Sequence, residues 1–126
     1  MTKVIVGEDC GNSLKNIFIK ELTVAFAKGD LKYILARVTD EIRWNIVGYG
    51  SMDGKDAFAN ALKQMKSIKV EAVTIHHIAT HGKSGFVNGT TQLEDGTTST
   101  FCDVYEFSNA KGAAVKEITS YVIALK

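Results

Sequence analysis

Residues 101–121 read FCDVYEFSNAKGAAVKEITSY: an alternating run of apolar and polar side chains, a polar turn and the start of a second run. In a β-strand alternate residues share a face, so Phe101, Asp103, Tyr105 and Phe107 are predicted to point the same way. A carboxylate on the same face as three aromatic rings loses hydration, which raises its pKa. Three interpretations of Asp103 follow: a functional acid, a paired structural group, or an outward-facing residue of a strand with the opposite register.

The alternation of period two extends over the C-terminal half of the chain. It predicts four strands at about 69–80, 85–94, 98–107 and 114–125, separated by the turn sequences HGKSG, EDG and SNAKG. Because short turns join antiparallel neighbours, these strands are predicted to form a mainly antiparallel sheet.

The N-terminal half begins with helical spacing of its apolar residues. A first helix is predicted after a cap at Asn12 or Ser13, and Gly29 is its natural stop. Asp30 then caps a short second helix.

A strand and a third helix complete this half. The strand is EIRWNIV, residues 41–47, and the glycine-rich loop GYGSMDG, residues 48–54, follows it. The third helix is predicted to begin after a cap at Asp53 or Ser51.

The order helix, helix, strand, helix and four strands predicts an α+β domain. Three N-terminal helices are expected to pack on a strongly curved, mixed but mainly antiparallel sheet. A sheet that curves around a helix leaves a concavity between the two layers, which is a common place for a small-molecule pocket.

Composition and charge limit the partners that the chain is expected to have. With 126 residues, 45% of them hydrophobic, we expect an N-terminal tail at 1–11 and a single folded domain at 12–126. Fifteen basic and fourteen acidic residues leave a net charge of +1, so neither nucleic acid nor a membrane surface is an expected partner. The two distant cysteines, Cys10 and Cys102, predict reduced thiols and a cytoplasmic location.

Three segments carry a family resemblance: AFAKGDLKYILARVTDEIRWNIVG (25–48), DGKDAFANAL (53–62) and the quoted stretch 101–121. Together with the element order, they resemble the nuclear transport factor two-like superfamily over about residues 12–125. That superfamily includes SnoaL-like polyketide cyclases, ketosteroid isomerases, limonene epoxide hydrolase and scytalone dehydratase, and proteins without known activity. The resemblance implies a cystatin-like cone with a mostly apolar pocket, and a homodimer formed through the outer face of the sheet.

The catalytic pattern of ketosteroid isomerases matches at one of three positions. The oxyanion-hole acid of that pattern falls on Asp103, where an apolar site would keep the carboxyl protonated. The general base falls on Asn45 and the second oxyanion donor falls on Leu22. An amide cannot abstract a proton, so the resemblance does not support isomerisation by that route. The cyclase aspartate and the epoxide hydrolase arginine with its flanking carboxylates have no equivalents either.

The candidate pocket residues are those predicted to face the cone or its mouth. Trp44 and Asn45 have opposite parity in their strand; alternation favours Trp44 inward, whereas the resemblance favours Asn45. Tyr49 is either a cover for the pocket or an ordinary packed ring. With Asp103 as the catalytic candidate, the pocket set is Trp44, Asn45, Tyr49, His76, Phe101, Tyr105 and Tyr121.

The sequence predicts no metal site and no cofactor. In the segment HHIATH, strand geometry points His76 and His77 to opposite faces and separates His77 from His81 by about 13 Å. One metal ion cannot bridge such a set. Glu21 is interpreted mainly as a solvated helix edge, with a missing base as the alternative, and Cys102 as a small core residue.

Two functional hypotheses follow. The first is a small-molecule-binding SnoaL-like domain that acts as a cofactor-free acid–base enzyme of the isomerase, cyclase or dehydratase class on a small cyclic or aromatic substrate, with Asp103 as the acid. The second is a non-catalytic domain that binds a small apolar or aromatic ligand or only associates as a homodimer.

Overall fold

The computed structural model describes residues 2–7, 13–109 and 114–125, which form three helices and seven strands. The helices are α1 (Leu14–Lys28), α2 (Leu31–Leu35) and α3 (Lys55–Met65). The strands are β1 (Lys3–Val6), β2 (Val38–Ile46), β3 (Gly50–Asp53), β4 (Val70–His81), β5 (Ser84–Leu93), β6 (Thr98–Phe107) and β7 (Val115–Leu125). Asn12 and Cys10, together with the end of the SNAKG turn, lie outside the described residues.

One sheet contains all the described strands, in the order β1-β4-β5-β6-β7-β2-β3. The pairs β1–β4 and β2–β7 are parallel and the other pairs are antiparallel. The predicted α+β class with a mixed, mainly antiparallel sheet is therefore confirmed. The four predicted C-terminal strands correspond to β4–β7.

Two short edge strands were not predicted. Residues 3–6, predicted as part of the N-terminal tail, form β1 and pair with β4, where Lys3 lies opposite Ala72. The end of the glycine-rich loop forms β3, where Met52 lies opposite Trp44 of β2. Each strand is four residues long, and its sequence carries too few alternations to be distinguished from a loop. Strand β1 depends on a partner far along the chain.

The first two helices begin and end as their sequences predict. Ser13 caps α1 by accepting a hydrogen bond from a backbone N–H of the first turn. Gly29 ends α1 with φ 72°, a left-handed conformation that glycine adopts without a steric penalty. Asp30 caps α2 in the same way as Ser13 caps α1.

The predicted cap of α3 is wrong. Gly54 is its N-cap residue, and it has no side chain to bond to the first turn. Asp53 belongs to β3, and its carboxylate accepts a 3.0 Å hydrogen bond from Nε of Arg43 on the neighbouring strand. Asp53 therefore bonds to Arg43 of the neighbouring strand and does not cap α3.

The core lies between the helices and the inner face of the sheet. Phe26 of α1, Trp44 of β2 and Phe58 of α3 form an aromatic cluster with ring centroids 5.5–6.4 Å apart. Edge-to-face and tilted contacts of this kind add to the stabilisation from buried area. This cluster connects α1, α3 and the sheet.

Two glycines of β5 allow other groups to approach the inner face closely. A Cβ at Gly85 would lie 2.7 Å from Cδ1 of Ile19 in α1. A Cβ at Gly89 would lie 2.0 Å from the carbonyl oxygen of Thr74 and 3.0 Å from the ring of Phe101. Helix α1 and the Phe101 ring therefore need these positions to lack a side chain.

Candidate ligand-binding cleft

An open cleft lies between the inner face of the sheet and the ends of α1 and α3. Its volume is about 240 Å³. Asp103 is the one charged residue among the described residues that line it. The lining residues are Thr23, Phe26, Ala27, Met65, Ile68, Val70, Val73, Thr91, Leu93, Ser99, Phe101, Asp103 and Val122. The arrangement is an apolar cleft with one acid and a few hydroxyl groups.

Asp103 faces this cleft because the side chains of the odd-numbered residues of β6 point to the inner face of the sheet. Tyr105 and Phe107 are fully buried in the core, and Phe101 packs against it. Asp103 shares their face and is partly buried at the cleft wall. The alternative register, with Asp103 on the outer face, does not occur.

Ser120 of β7 is the polar side chain paired with Asp103. The two residues lie opposite each other in the antiparallel β6–β7 pair, and Ser120 is 5% exposed. Its hydroxyl oxygen accepts a 2.9 Å hydrogen bond from Nε1 of Trp44 on the other neighbouring strand. Its hydroxyl hydrogen bonds to the carboxyl group of Asp103. Ser120 thus connects the aromatic core with the acid of the cleft.

Burial controls the ionisation of Asp103. Desolvation raises the pKa of this carboxyl from 3.8 to about 6, although the hydrogen bond from Ser120 opposes the rise. A carboxyl group with this pKa changes its charge near neutral pH, where general acids and bases work best.

Thr23 lines the cleft beside Asp103, and Tyr105 lies beneath them in the core. The Thr23 hydroxyl donates a 2.8 Å hydrogen bond to the carbonyl oxygen of Ile19, one turn earlier in α1. The Tyr105 hydroxyl lies beside Thr23 but makes no hydrogen bond of good geometry with any described residue. Burial raises the pKa of the Tyr105 phenol well above its usual range, and the negative charge of Asp103 adds to the effect.

The structure separates the candidates Trp44 and Asn45. Trp44 is buried on the inner face, where its ring joins the aromatic core and its N–H reaches Ser120. Asn45 is exposed on the outer face, so its placement in the pocket was wrong. The reason is the regular alternation of β2, in which Ile42 and Trp44 both point inward.

Tyr49 and Tyr121 do not line the cleft either. Tyr49 lies in the turn before β3 and is 86% exposed. Tyr121 is on the outer face of β7, opposite Cys102 of β6. Its neighbour Ser120 points inward, and alternation sends Tyr121 the other way. Cys102 is a partly buried free thiol on that outer face rather than a core residue.

His76 was also misplaced: Val73 and Ile75 of β4 point inward, so alternation turns His76 to the outer face. Both histidines are exposed: Nε2 of His76 lies 3.2 Å from Oγ1 of Thr90, and Nδ1 of His77 lies 3.1 Å from Oδ1 of Asn88. The β-bulge between Ile75 and His77 adds one residue, so His77 also faces outward before Ile78 returns to the core. Within the described ranges, no three His, Cys, Asp or Glu side chains are grouped so as to hold a metal ion.

The two remaining candidates for catalytic partners lie elsewhere. Leu22, at the position of the second oxyanion donor, is fully buried in the core. Glu21 is exposed on α1 and accepts a 2.9 Å hydrogen bond from the hydroxyl of Tyr33. Sequence reasoning missed Thr23 and Ser120. Alternation from the apolar Ile118 would have placed Ser120 inward, but Thr23 gives no sequence signal.

Comparison with known proteins identifies the class of this domain. The family model described as a SnoaL-like domain matches residues 19–115, and the chain belongs to this family. No curated protein matches the chain.

Solved structures share its fold at low sequence identity. An NTF2-like (nuclear transport factor two-like) protein of unknown function from Cytophaga hutchinsonii has a TM-score of 0.68 and 23% identity, over 85% of this chain and 97% of that one. An epoxide hydrolase from M. tuberculosis, described as LEH-like, has a TM-score of 0.70 and 21% identity, over 82% and 78% of the two chains. A protein with a cystatin-like fold from Silicibacter pomeroyi has a TM-score of 0.68 and 17% identity, over 82% and 72%.

Among the described residues, none of the helices has both the length and the apolar character that crossing a membrane requires.

Proposed function

We propose that this SnoaL-like domain binds a small apolar or aromatic molecule in the Asp103 cleft. The observation that carries the proposal is an open cleft of about 240 Å³ whose mostly apolar wall includes one partly buried carboxyl group. Sites for small molecules typically combine apolar walls with a few polar groups that orient the ligand. Asp103 is the group that would orient it.

In a finer form of this proposal, Asp103 also transfers a proton without a cofactor. Its pKa of about 6 suits a general acid or base of isomerase, cyclase or dehydratase chemistry on a cyclic or aromatic substrate. A second ionisable group is not present on the cleft wall as the structure describes it. The supported chemistry therefore uses one carboxyl group. Epoxide hydrolysis, as in the mycobacterial neighbour, receives no support, since the described residues that line the cleft do not include an arginine.

A thermal-shift panel of small aromatic and alicyclic compounds tests whether the cleft binds ligands. Binding to the native state raises the melting temperature, and the rise grows with the logarithm of ligand concentration above Kd. Ala27→Phe fills the cleft wall without changing its charge and should abolish the shift. The control Lys28→Phe places the same ring at the next, exposed position of α1 and should retain it. A panel that never stabilises the wild type, or that stabilises both variants equally, would contradict the proposal.

Association as a homodimer is a second candidate, supported by the outer face of the sheet. Phe86, Val104, Tyr121 and Ile123 lie on adjacent strands β5, β6 and β7 and leave large apolar side chains exposed on that face. An exposed apolar patch on a sheet is typical of protein interfaces.

Analytical ultracentrifugation tests this candidate. The double variant Phe86→Glu with Ile123→Glu should sediment as a monomer, whereas wild type and the control Asn60→Glu, on the helical side, should sediment as dimers. Monomeric wild type at micromolar concentration would contradict the dimer. The cytoplasmic location stays a prediction from the sequence.

A further inference from the structure

We propose that the polar end of the cleft accepts hydrogen bonds from its ligand. The ligand would be a mostly apolar molecule that carries a hydrogen-bond donor, and the best donor would be a protonated amine. An anion would be the wrong partner. This inference rests on the proposed function, since it names the chemistry of the molecule in the Asp103 cleft.

The first observation is that Thr23 has no hydrogen left for a ligand. A threonine hydroxyl has one hydrogen and two lone pairs. Thr23 gives that hydrogen to the carbonyl oxygen of Ile19 at 2.8 Å. What its oxygen presents to the cleft is therefore an acceptor.

The second observation is that the hydroxyl group of Ser120 already donates a hydrogen bond to Asp103. Ser120 already accepts a hydrogen bond from Trp44 at 2.9 Å, so one lone pair of its oxygen is in use. Its own hydrogen goes to the Asp103 carboxyl across the β6–β7 pair. A carboxyl group that receives such a bond is favoured as the ionised acceptor.

The third observation is that no described residue supplies a positive charge to Asp103. None of the ion pairs between described residues includes it, and no lysine or arginine lines the cleft in the described part of the chain. Charged groups that are removed from water are usually paired. A cationic ligand would provide the missing partner.

The other polar groups nearby do not alter this preference. Ser99 lies four residues before Asp103 on β6, roughly 13 Å away along the strand, and Thr91 is paired with Ser99. Both hydroxyls would contact a different part of a ligand. Tyr105 lies beneath Asp103 and is not part of the cleft wall.

The titratable groups around Asp103 predict how the preference depends on pH. Tyr105 and Cys102, both on β6, are the titratable groups that respond to its charge. The cleft residues of α1, the α3 end and β7 are uncharged. With a pKa of about 6, Asp103 is mostly ionised at pH 7.5 and mostly neutral at pH 5. The preference for an amine should therefore be strong at pH 7.5 and weak at pH 5.

Isothermal titration of the full chain with four probes of similar shape tests the inference: benzylamine, benzyl alcohol, benzoate and toluene. At pH 7.5 we expect benzylamine to bind at least roughly tenfold more tightly than benzyl alcohol, as a charge-assisted hydrogen bond allows. The nearly isosteric Asp103→Asn should remove that difference but keep binding of toluene. The control Glu21→Gln, which changes an exposed carboxylate of α1, should leave the ranking unchanged.

The outcomes separate this inference from the proposed function. Tighter binding of benzoate than of benzylamine by wild type would overturn the inference, and so would an amine preference that survives in Asp103→Asn. If the neutral probes bind but the amine has no advantage, the inference fails and the proposed function stands. If none of the four probes binds, both fail. The ranking by wild type is decisive even if Asp103→Asn does not fold.

Discussion

Trp44 and Ser120, on the adjacent parallel strands β2 and β7, share a 2.9 Å hydrogen bond from the indole N–H to the hydroxyl oxygen. The indole ring belongs to the aromatic core, and the hydroxyl group bonds to Asp103 at the wall of the cleft. Packing of the core therefore determines how the carboxyl group is held.

Ser120→Ala should raise the pKa of Asp103 further above about 6. The serine hydroxyl is the group that opposes the effect of burial, and alanine removes it. Titration of the Asp103 carboxyl carbon by ¹³C NMR measures the change. In the control Ser99→Ala, which removes another hydroxyl from the cleft, the pKa should not change. An unchanged or lowered pKa in Ser120→Ala would contradict the hydrogen bond.

Trp44→Phe should destabilise the protein by roughly 1–3 kcal/mol, because it removes the N–H donor and part of a well-packed ring. Urea unfolding measures this loss. In the double variant with Ser120→Ala, the loss should be smaller than the sum of the two single losses, since both single changes break the same bond. Additive losses would show that the two residues act independently.

The stability of the fold should carry a pH dependence that comes from Asp103. Its pKa is raised in the folded state, so the folded protein binds the proton more tightly than the unfolded chain does. The contribution of Asp103 to the free energy of unfolding is thus most favourable below pH 3.8. It falls by about 1–3 kcal/mol as the pH rises through about 6.

Unfolding free energies of wild type and Asp103→Asn at pH 4 and pH 8 measure this dependence. Wild type should lose stability relative to the variant between the two values. A difference between the two proteins that is the same at both pH values would contradict the raised pKa.

Gly89→Ala should destabilise the protein by roughly 1–3 kcal/mol or more, as overpacking of a tightly packed site does. The added methyl group would lie 2.0 Å from the carbonyl oxygen of Thr74, where a backbone atom cannot move aside easily. The control Gln92→Ala, at an exposed position of the same strand, should stay within about 0.5 kcal/mol of wild type. Equal stability of the two variants would contradict the close approach at Gly89.

The sequence was sufficient for the features that depend on local patterns. Period-two alternation predicted β4–β7 and made Phe101, Asp103, Tyr105 and Phe107 share a face, which the core packing requires. Gly29 ended α1 as predicted, because the left-handed conformation favours glycine. The α+β class followed from the order of these elements.

Other features depend on distant partners or on irregularities that the pattern does not reveal. The edge strand β1 exists because β4 offers it a parallel partner. The bulge in β4 kept His77 on the outer face beside His76. The resemblance suggested Asn45 for the site, although the alternation of β2 already pointed to Trp44. The pairing of Ser120 with Asp103 needed the register between β6 and β7, which the sequence alone does not specify.

Titration of the Asp103 carboxyl group in the wild type, by ¹³C NMR with the signal assigned through its absence in Asp103→Asn, is the most direct test. If this group is a partly buried acid at the wall of an apolar cleft, its pKa should lie near 6. A pKa near the ordinary 3.8 would mean that water surrounds the carboxyl group, and it would contradict the proposed site.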